Sequence, residues 1–335
     1  MQRPSPIKLY ALFAAGLVLL VLINVGTGSL AIPASDLFQA LFSDQSSNHI
    51  ILWQFRIPKA ATCVLAGAAL GASGLLMQTL FRNPLAGPDV LGLSSGASLL
   101  VALLLMSSAF RGGLLTSPWS VAAAASAGSA GVFLLVMTIS RKIIDNTSLL
   151  IIGLMISAAV SSVVAVLQYI SRADDLQAFM IWNLGSVGTT SWNEIAVMAL
   201  ALLAGLAIGL AHLKSINGLL LGDYYAQSLG INTQRTRFWV VAATSLMTGA
   251  VTAFCGPIAF VGLAVPHLVR LSVPSTNHGV LIPFVMMGGA ILLLACDWAA
   301  QLPGSTQILP LNAITSFVGA PVVIWIIVRH KKLRM

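Results

Sequence analysis

Acidic side chains are almost missing from this sequence: eight Asp and one Glu, Glu194, in 335 residues. Charged residues of both signs make up only 8%, where an ordinary soluble domain carries about 25%. The chain is 58% hydrophobic, with a mean hydropathy of +0.94. A chain this poor in charge cannot cover a water-facing surface. That excludes a soluble globular protein and leaves an all-α polytopic membrane protein. Cysteine is scarce too. Cys63, Cys255 and Cys296 lie far apart inside apolar runs, with no CxxC or CxxH spacing, and read as small packing residues. No GxxxxGK[ST], HExxH or GxSxG motif occurs, and no His/Cys/Asp cluster has metal-ligand spacing, so the chain has no nucleotide-binding loop of its own. An ion-driven carrier rests on intramembrane carboxylates, and only Asp297 lies deep in an apolar run. An intramembrane enzyme needs a nucleophile beside a base, and none is placed for it. What remains is a passage through the membrane whose energy comes from elsewhere, with an ion-coupled carrier or channel as the competing class.

What is present is a series of apolar runs. A span takes about 20 residues, and ten candidates appear: 9–28, 58–80, 91–107, 118–139, 148–170, 192–213, 236–254, 257–271 (a short one), 280–299 and 311–328. The first has the basic flank of a signal sequence in Arg3 and Lys8, but no small-x-small site follows cleanly, and it reads as a span. With the N-terminus inside, thirteen of the 17 Lys and Arg fall on the cytoplasmic side; Arg56, Lys59, Arg111 and Arg172 fall outside. That bias puts both termini in the cytoplasm. The net charge of +8 therefore speaks for topology control and contact with anionic lipid rather than nucleic acid.

Two runs are interrupted. Residues 81–98 contain Pro84, Pro88, Gly87, Gly92 and Gly96. Irregular backbone at membrane depth is tolerated only where it packs in protein or lines an aqueous cavity, so this stretch is a candidate for the path, at the cytoplasmic end of the second span. In the other, Cys255 to Arg270, Pro257 and Pro266 are expected to bracket a short helix, with His267 a packed or capping residue near its inner end. The parent spans run in opposite directions, the pattern of inverted halves around a translocation path. Gly67 and Gly71 give the second span small-xxx-small spacing. Gln78 is either an interhelical hydrogen bond or a path-lining residue. Asp145 to Ser148 offers N-cap chemistry for the fifth span, and Arg172 to Leu184 reads as a short outer helix or a partly re-entrant one. The longest cytoplasmic connection, 214–236, holds Asp223, expected to cap a short helix through Leu229, with Gly230 to stop it. It is a partner's seat or a plain connector. An unpaired Asp at mid-bilayer costs about 2.5–3.5 kcal/mol, so Asp297 must have a partner or lie near the outer end.

Taken together, Arg56-Ile57-Pro58-Lys59, Gly67 through Ser73-Gly74, Gln78, Arg82-Asn83-Pro84-Leu85-Ala86, Leu91-Gly92, Gly96-Ala97, Leu221-Gly222-Asp223 to Leu229-Gly230, Gly256-Pro257 to Leu263, Pro266-His267 and Gly319-Ala320-Pro321 resemble the FecCD family, in collinear order from Ile51 to Trp325. These are permeases of ABC importers for iron–siderophore complexes, haem and vitamin B12. The resemblance implies one transmembrane permease domain over 1–335, with ten helices of the type II importer kind, in the bacterial cytoplasmic (inner) membrane. It also implies a second permease subunit forming a homodimer, two cytoplasmic ABC ATPases that hold ATP and Mg, and an extracytoplasmic substrate-binding protein. No cofactor is implied on this chain. Ferric siderophore is the expected cargo, with vitamin B12 or haem as the alternative. By the same resemblance Arg56 and Lys59 dock the binding protein, with interfacial anchoring as the other reading. Asn83 and Leu85 form one cytoplasmic constriction, and Asn146 and Thr147 a second. Leu221, Gly222, Asp223, Ala226, Leu229 and Gly230 belong to coupling helices that seat in an ATPase cleft, and Pro84, Pro257, Pro266 and His267 are structural or path residues. The chain departs from the family in three places. Lys59 stands where Arg is usual, Gln301 replaces a third basic residue, and Ile308-Leu309-Pro310-Leu311-Asn312 stands where the family carries Glu-Leu-Pro-Val-Gly.

Overall fold

The computed structural model describes residues 6–28, 32–42, 47–106, 117–140, 146–301 and 308–331. These are helical, with no strand among them. In chain order the helices are α1 (Pro6–Gly26), α2 (Ala34–Phe42), α3 (Ser47–Ile51), α4 (Ile57–Phe81), α5 (Leu93–Met106), α6 (Pro118–Ser140), α7 (Asn146–Ile170), α8 (Ala173–Asn183), α9 (Trp192–Ala211), α10 (Leu213–Leu219), α11 (Asp223–Ser228), α12 (Thr233–Cys255), α13 (Val261–Ser272), α14 (His278–Ala300) and α15 (Leu311–Lys331). Among the described residues seven helices are long and apolar enough to cross a bilayer, α3 and α4 counting as one with the π-helical turn Leu52–Arg56 between them. Three more apolar helices, within α5, α13 and α15, are shorter. Each of the ten expected spans thus overlaps one of these ten helices. The Arg172 to Leu184 segment is the short helix α8.

Helix α4 is the axis of the bundle. It packs against α14, α12, α13 and α9, and 20 of its 25 residues are buried. Most are Ala, Gly or Leu, because helices that bury one another in lipid gain by close backbone approach rather than by expelling water. The spacing seen in the sequence is used as expected. A Cβ at Gly67 would fall on the Gly289 carbonyl of α14, and one at Gly289 on the Gly67 carbonyl; a Cβ at Gly71 would fall on the carbonyl of Val285. Gly96 of α5 and Gly128 of α6 make a second reciprocal contact of this kind.

Two expectations about short helices need correction. Pro266 lies inside α13, not at its end. Having no N–H, it releases the carbonyl of Gly262 four residues back, and that carbonyl lies directly over Gly74 of α4. The freed oxygen faces the backbone of α4 at Gly74, where any residue with a Cβ would collide with it. Asp223 is the first helical residue of α11, not its side-chain cap; Gly222 holds the N-cap position at φ 103°. α13 is only 12 residues long, or about 18 Å, too short for a hydrocarbon core of about 30 Å. The non-helical lead from Gly256 to Phe260 makes up the difference, and neighbouring segments bond to it and to the residue before it. Ser186 N–H donates to the Cys255 carbonyl (2.8 Å), and Ala259 N–H donates to Asn312 Oδ1 (3.1 Å). Asn312 thus supplies an acceptor to this broken span.

Acids follow a simple rule. Asp36, Asp89, Asp174, Asp175, Glu194 and Asp223 each lie in the first turn of a helix, where the helix dipole favours negative charge. Glu194 completes a capping box with Ser191. Asp297 alone, among the described acids, is held within a helix.

Gly289→Ala should destabilise the purified protein by about 1–3 kcal/mol, the usual effect of overpacking. Gly131, where an added Cβ would meet nothing within 4 Å, should accept Ala with little change. Thermal unfolding in detergent compares the two.

Candidate permeation and coupling sites

The polar groups gather at the two ends of α4. At its outer end lies a cluster around Asp297. Lys59 Nζ is 3.0 Å from Asp297 Oδ2. The same oxygen accepts from Asn24 Nδ2 of α1 (2.7 Å) and from Gln301 Nε2 (2.8 Å), and Gln301 also bonds the Asp297 carbonyl (3.1 Å). The acid therefore has the partner that its burial demands, and it sits in the last turn of α14, near the outer side. One turn before Lys59, Arg56 Nη1 donates to the carbonyls of Val25 and Gly26 (3.0 Å each). These are the last residues of α1, so the guanidinium caps that helix and complements its dipole. Arg56 is buried. Both cations thus have partners within the chain, and both line an outer cleft of about 590 Å³.

At the inner end the chain turns sharply. Arg82 N–H bonds the Thr79 carbonyl (3.2 Å) and Asn83 N–H the Gln78 carbonyl (3.1 Å), the paired bonds of a Schellman motif. Arg82 occupies the left-handed position (φ 46°) where glycine is usual. Asn83 Oδ1 accepts from Leu85 N–H (2.9 Å), and Ala86 N–H returns to the Asn83 carbonyl (3.1 Å). Asn83 therefore shapes the turn that carries Pro84 and Leu85, and Leu85 is exposed. Beyond it Ser94 donates to Asp89; burial raises the Asp89 carboxyl above its ordinary range, and the Ser94 bond acts against that shift. Gln78 makes an interhelical bond and also lines the inner cleft: Nε2 donates to the Leu263 carbonyl (3.0 Å), and Oε1 accepts from Arg270 Nη1 (3.3 Å). Pro257 lies in the non-helical lead to α13, and His267 lies within α13. Thr147, in the first turn of α7, is exposed. The Asn146 side chain and Asp145 lie outside the described residues.

The cytoplasmic loop expected to meet an ATPase is built of two short helices, α10 and α11, with Gly222 between them. Ala226 is fully buried and anchors α11, while Tyr224, Tyr225, Leu221 and Leu229 are exposed, Tyr224 by 90%. Gly230, at φ 79°, ends the element. Arg82 links this loop to the turn: its Nη1 would lie 3.1 Å from a Cβ at Gly222, and it lines both the inner cleft beside Gln78 and Asn83 (about 730 Å³) and the cleft under α11 (about 940 Å³). Sequence reasoning finds Arg82 only as part of a motif. It misses His278 and Asn217, which join the same region; the signal for them is long-range contact, invisible to periodicity.

A buried, Gly-paired helix axis, a broken span beside it, a turn at its inner end and a cytoplasmic helix pair define a polytopic membrane transport subunit. The chain matches the FecCD transport family over residues 16–329, and it belongs to that family, as a multi-pass protein of the inner membrane. It is 35% identical over 324 residues to the hemin transport system permease protein HmuU of Yersinia pestis, covering 95% of this chain and 96% of that one. It is 34% identical over 323 residues to the vitamin B12 import system permease protein BtuC of Klebsiella pneumoniae, covering 96% and 94%. Its fold matches an inward-facing structure described as a metal-chelate type ABC transporter, with TM-score 0.84, 27% identity, and coverage of 97% and 100%.

Removing one member of the outer ion pair leaves the other charged and unpaired. Asp297→Asn should cost about 3–5 kcal/mol of stability, seen as a lower unfolding temperature in detergent. Lys59→Met combined with Asp297→Leu should recover most of that loss.

Proposed function

We propose that this chain is the membrane permease of an ATP-driven importer that carries a metal chelate from a binding protein to the cytoplasm. The observation that carries this reading is the α10–α11 element. Tyr224, Tyr225 and Leu229 project from a helix anchored by buried Ala226 on the side where the positive-inside rule places the cytoplasm. An apolar and aromatic platform on a membrane protein with no nucleotide-binding motif suits the cleft of a separate ATPase, which supplies ATP, Mg and work. Aromatic anchors in fully buried pockets dominate such interfaces.

The cargo class is a metal chelate. Ferric siderophore is the finer proposal, beside haem and vitamin B12, the cargo of the named relatives. The gate is the turn at Asn83 and Leu85, with Asn146 and Thr147 as a second constriction. A second permease copy packs on the apolar face of α7, where Ile151, Met155, Val163, Val166 and Tyr169 are exposed. The binding protein docks over the outer cleft. There an incoming carboxylate competes with Asp297 for Lys59, and Arg56 adds charge that steers encounter.

Tyr224→Asp together with Leu229→Asp should weaken capture of the ATPase at least about tenfold while the permease stays folded. Co-purification on the tagged permease measures this. Undiminished capture of the ATPase would contradict the assignment.

A further inference from the structure

A hydrogen-bond chain, buried at its inner end, joins the α10–α11 loop to the helix that carries the gate, and neither docking nor gating as proposed makes use of it. Thr79 Oγ1, one turn before the inner gate, lies 2.7 Å from His278 Nε2 at the start of α14. His278 Nδ1 lies 2.7 Å from Asn217 Oδ1 of α10, and the same oxygen accepts His278 N–H (3.0 Å). Asn217 Nδ2 donates to Asn277 Oδ1 (3.1 Å), which also accepts from Gly279 N–H (2.9 Å) and so caps α14. His278 and Thr79 are buried. The chain runs from the coupling loop, through the head of α14, to the end of α4.

The protons can be assigned from the partners. Asn277 Oδ1 is held as an acceptor by the Gly279 amide, so Asn217 must turn its amide nitrogen toward it and its oxygen toward His278. His278 Nδ1 then carries the proton and donates. In the neutral ring Nε2 is the acceptor, and Thr79 is the donor to it. The Thr79 hydroxyl has one proton and two acceptors, His278 Nε2 and the Leu75 carbonyl of its own helix at 2.9 Å. When the link to His278 breaks, Thr79 still has the Leu75 carbonyl as partner, and both residues border the inner cleft. An unpaired buried group is what makes hydrogen bonds hard to break; here the Thr79 hydroxyl is not stranded.

We infer that Asn217–His278–Thr79 is a releasable latch through which movement of the α10–α11 element is passed to the turn carrying Asn83 and Leu85. Thr79, His278 and Asn217 are positioning residues in this scheme and touch no cargo. A one-turn lever separates the latch from the gate, because the Thr79 carbonyl accepts the inner of the two Schellman bonds, from Arg82 N–H. Arg82 against Gly222 forms a parallel connection on the same two elements. The inference rests on the importer reading for its consequence, but its geometry does not depend on that reading.

The test is maleimide labelling of Leu85→Cys from the cytoplasmic side in the complex with the ATPase, with and without ATP. Where Thr79 is retained, ATP should change the labelling rate about tenfold, the effect of a shift of about one decade in gate population. With Thr79→Val the ATPase should still turn over but the ATP-dependent change should vanish, and Thr79→Ser should restore it. An unchanged ATP response in Thr79→Val overturns the latch. If labelling ignores ATP even with Thr79 present, the importer reading fails, and amide hydrogen exchange on the purified permease decides the latch alone. There Thr79→Val and Asn217→Ala should each speed exchange across α10 about three- to tenfold, the loss of one hydrogen bond. Exchange in α10 at the unaltered rate would overturn it.

Discussion

Everything in this molecule depends on how closely α4 and α14 can lie. The two helices run antiparallel and touch backbone to backbone at Gly67–Gly289 and Gly71–Val285. Between helices in lipid the contact gains from dispersion and from the absence of side chains in the way. Because α4 is covered on all sides, its neighbours must each present a groove or a carbonyl to it. The Pro266-released carbonyl of Gly262 over Gly74 is one instance. A single added methyl at these positions has no soft neighbour to displace, since the atoms in the way are backbone.

The same pair is tied at both ends by polar bonds. Lys59 and Asp297 meet at one end, Thr79 and His278 at the other. Twenty residues separate Lys59 from Thr79 along one helix, about 30 Å at 1.5 Å per residue, which is the thickness of the hydrocarbon core. The polar ties therefore fall at the two membrane edges, and the middle of the contact is left to glycine and apolar side chains. This division follows from cost. Charge near the interface is tolerable, whereas charge at mid-depth without a partner is not. It also separates tasks. The outer tie is ionic and shared with α1 through Asn24, which suits a fixed point. The inner tie is neutral and reaches the α10–α11 loop, which suits a part that moves.

Much of the architecture is legible in the residues. The spans, their direction, the Gly67 spacing, the turn after Phe81 and the short helix near Asp223 all rest on local pattern or on charge bias, and local pattern is what a sequence displays. Burial cost requires a partner for Asp297, yet Lys59 reads from sequence as outward-facing. Nothing in either neighbourhood says that residues 59 and 297 meet. Sequence leaves Gln78 between two roles because its acceptor is the Leu263 carbonyl, 185 residues on. Pro266 reads as a boundary because a proline in a helix is unfavourable, and only the tertiary structure shows it seated within α13 with the freed carbonyl against Gly74. His278 and Asn217 carry no local signal at all. They matter because three elements converge on them.

The central claim is that this chain forms a passage whose movement is driven by a separate ATPase. The direct measurement is uptake into proteoliposomes holding the purified permease, offered haemin, cyanocobalamin and a ferric siderophore. The account predicts accumulation only when the ATPase, ATP and a loaded binding protein are all present. Uptake by the permease alone, or uptake driven by an ion gradient without ATP, would contradict it.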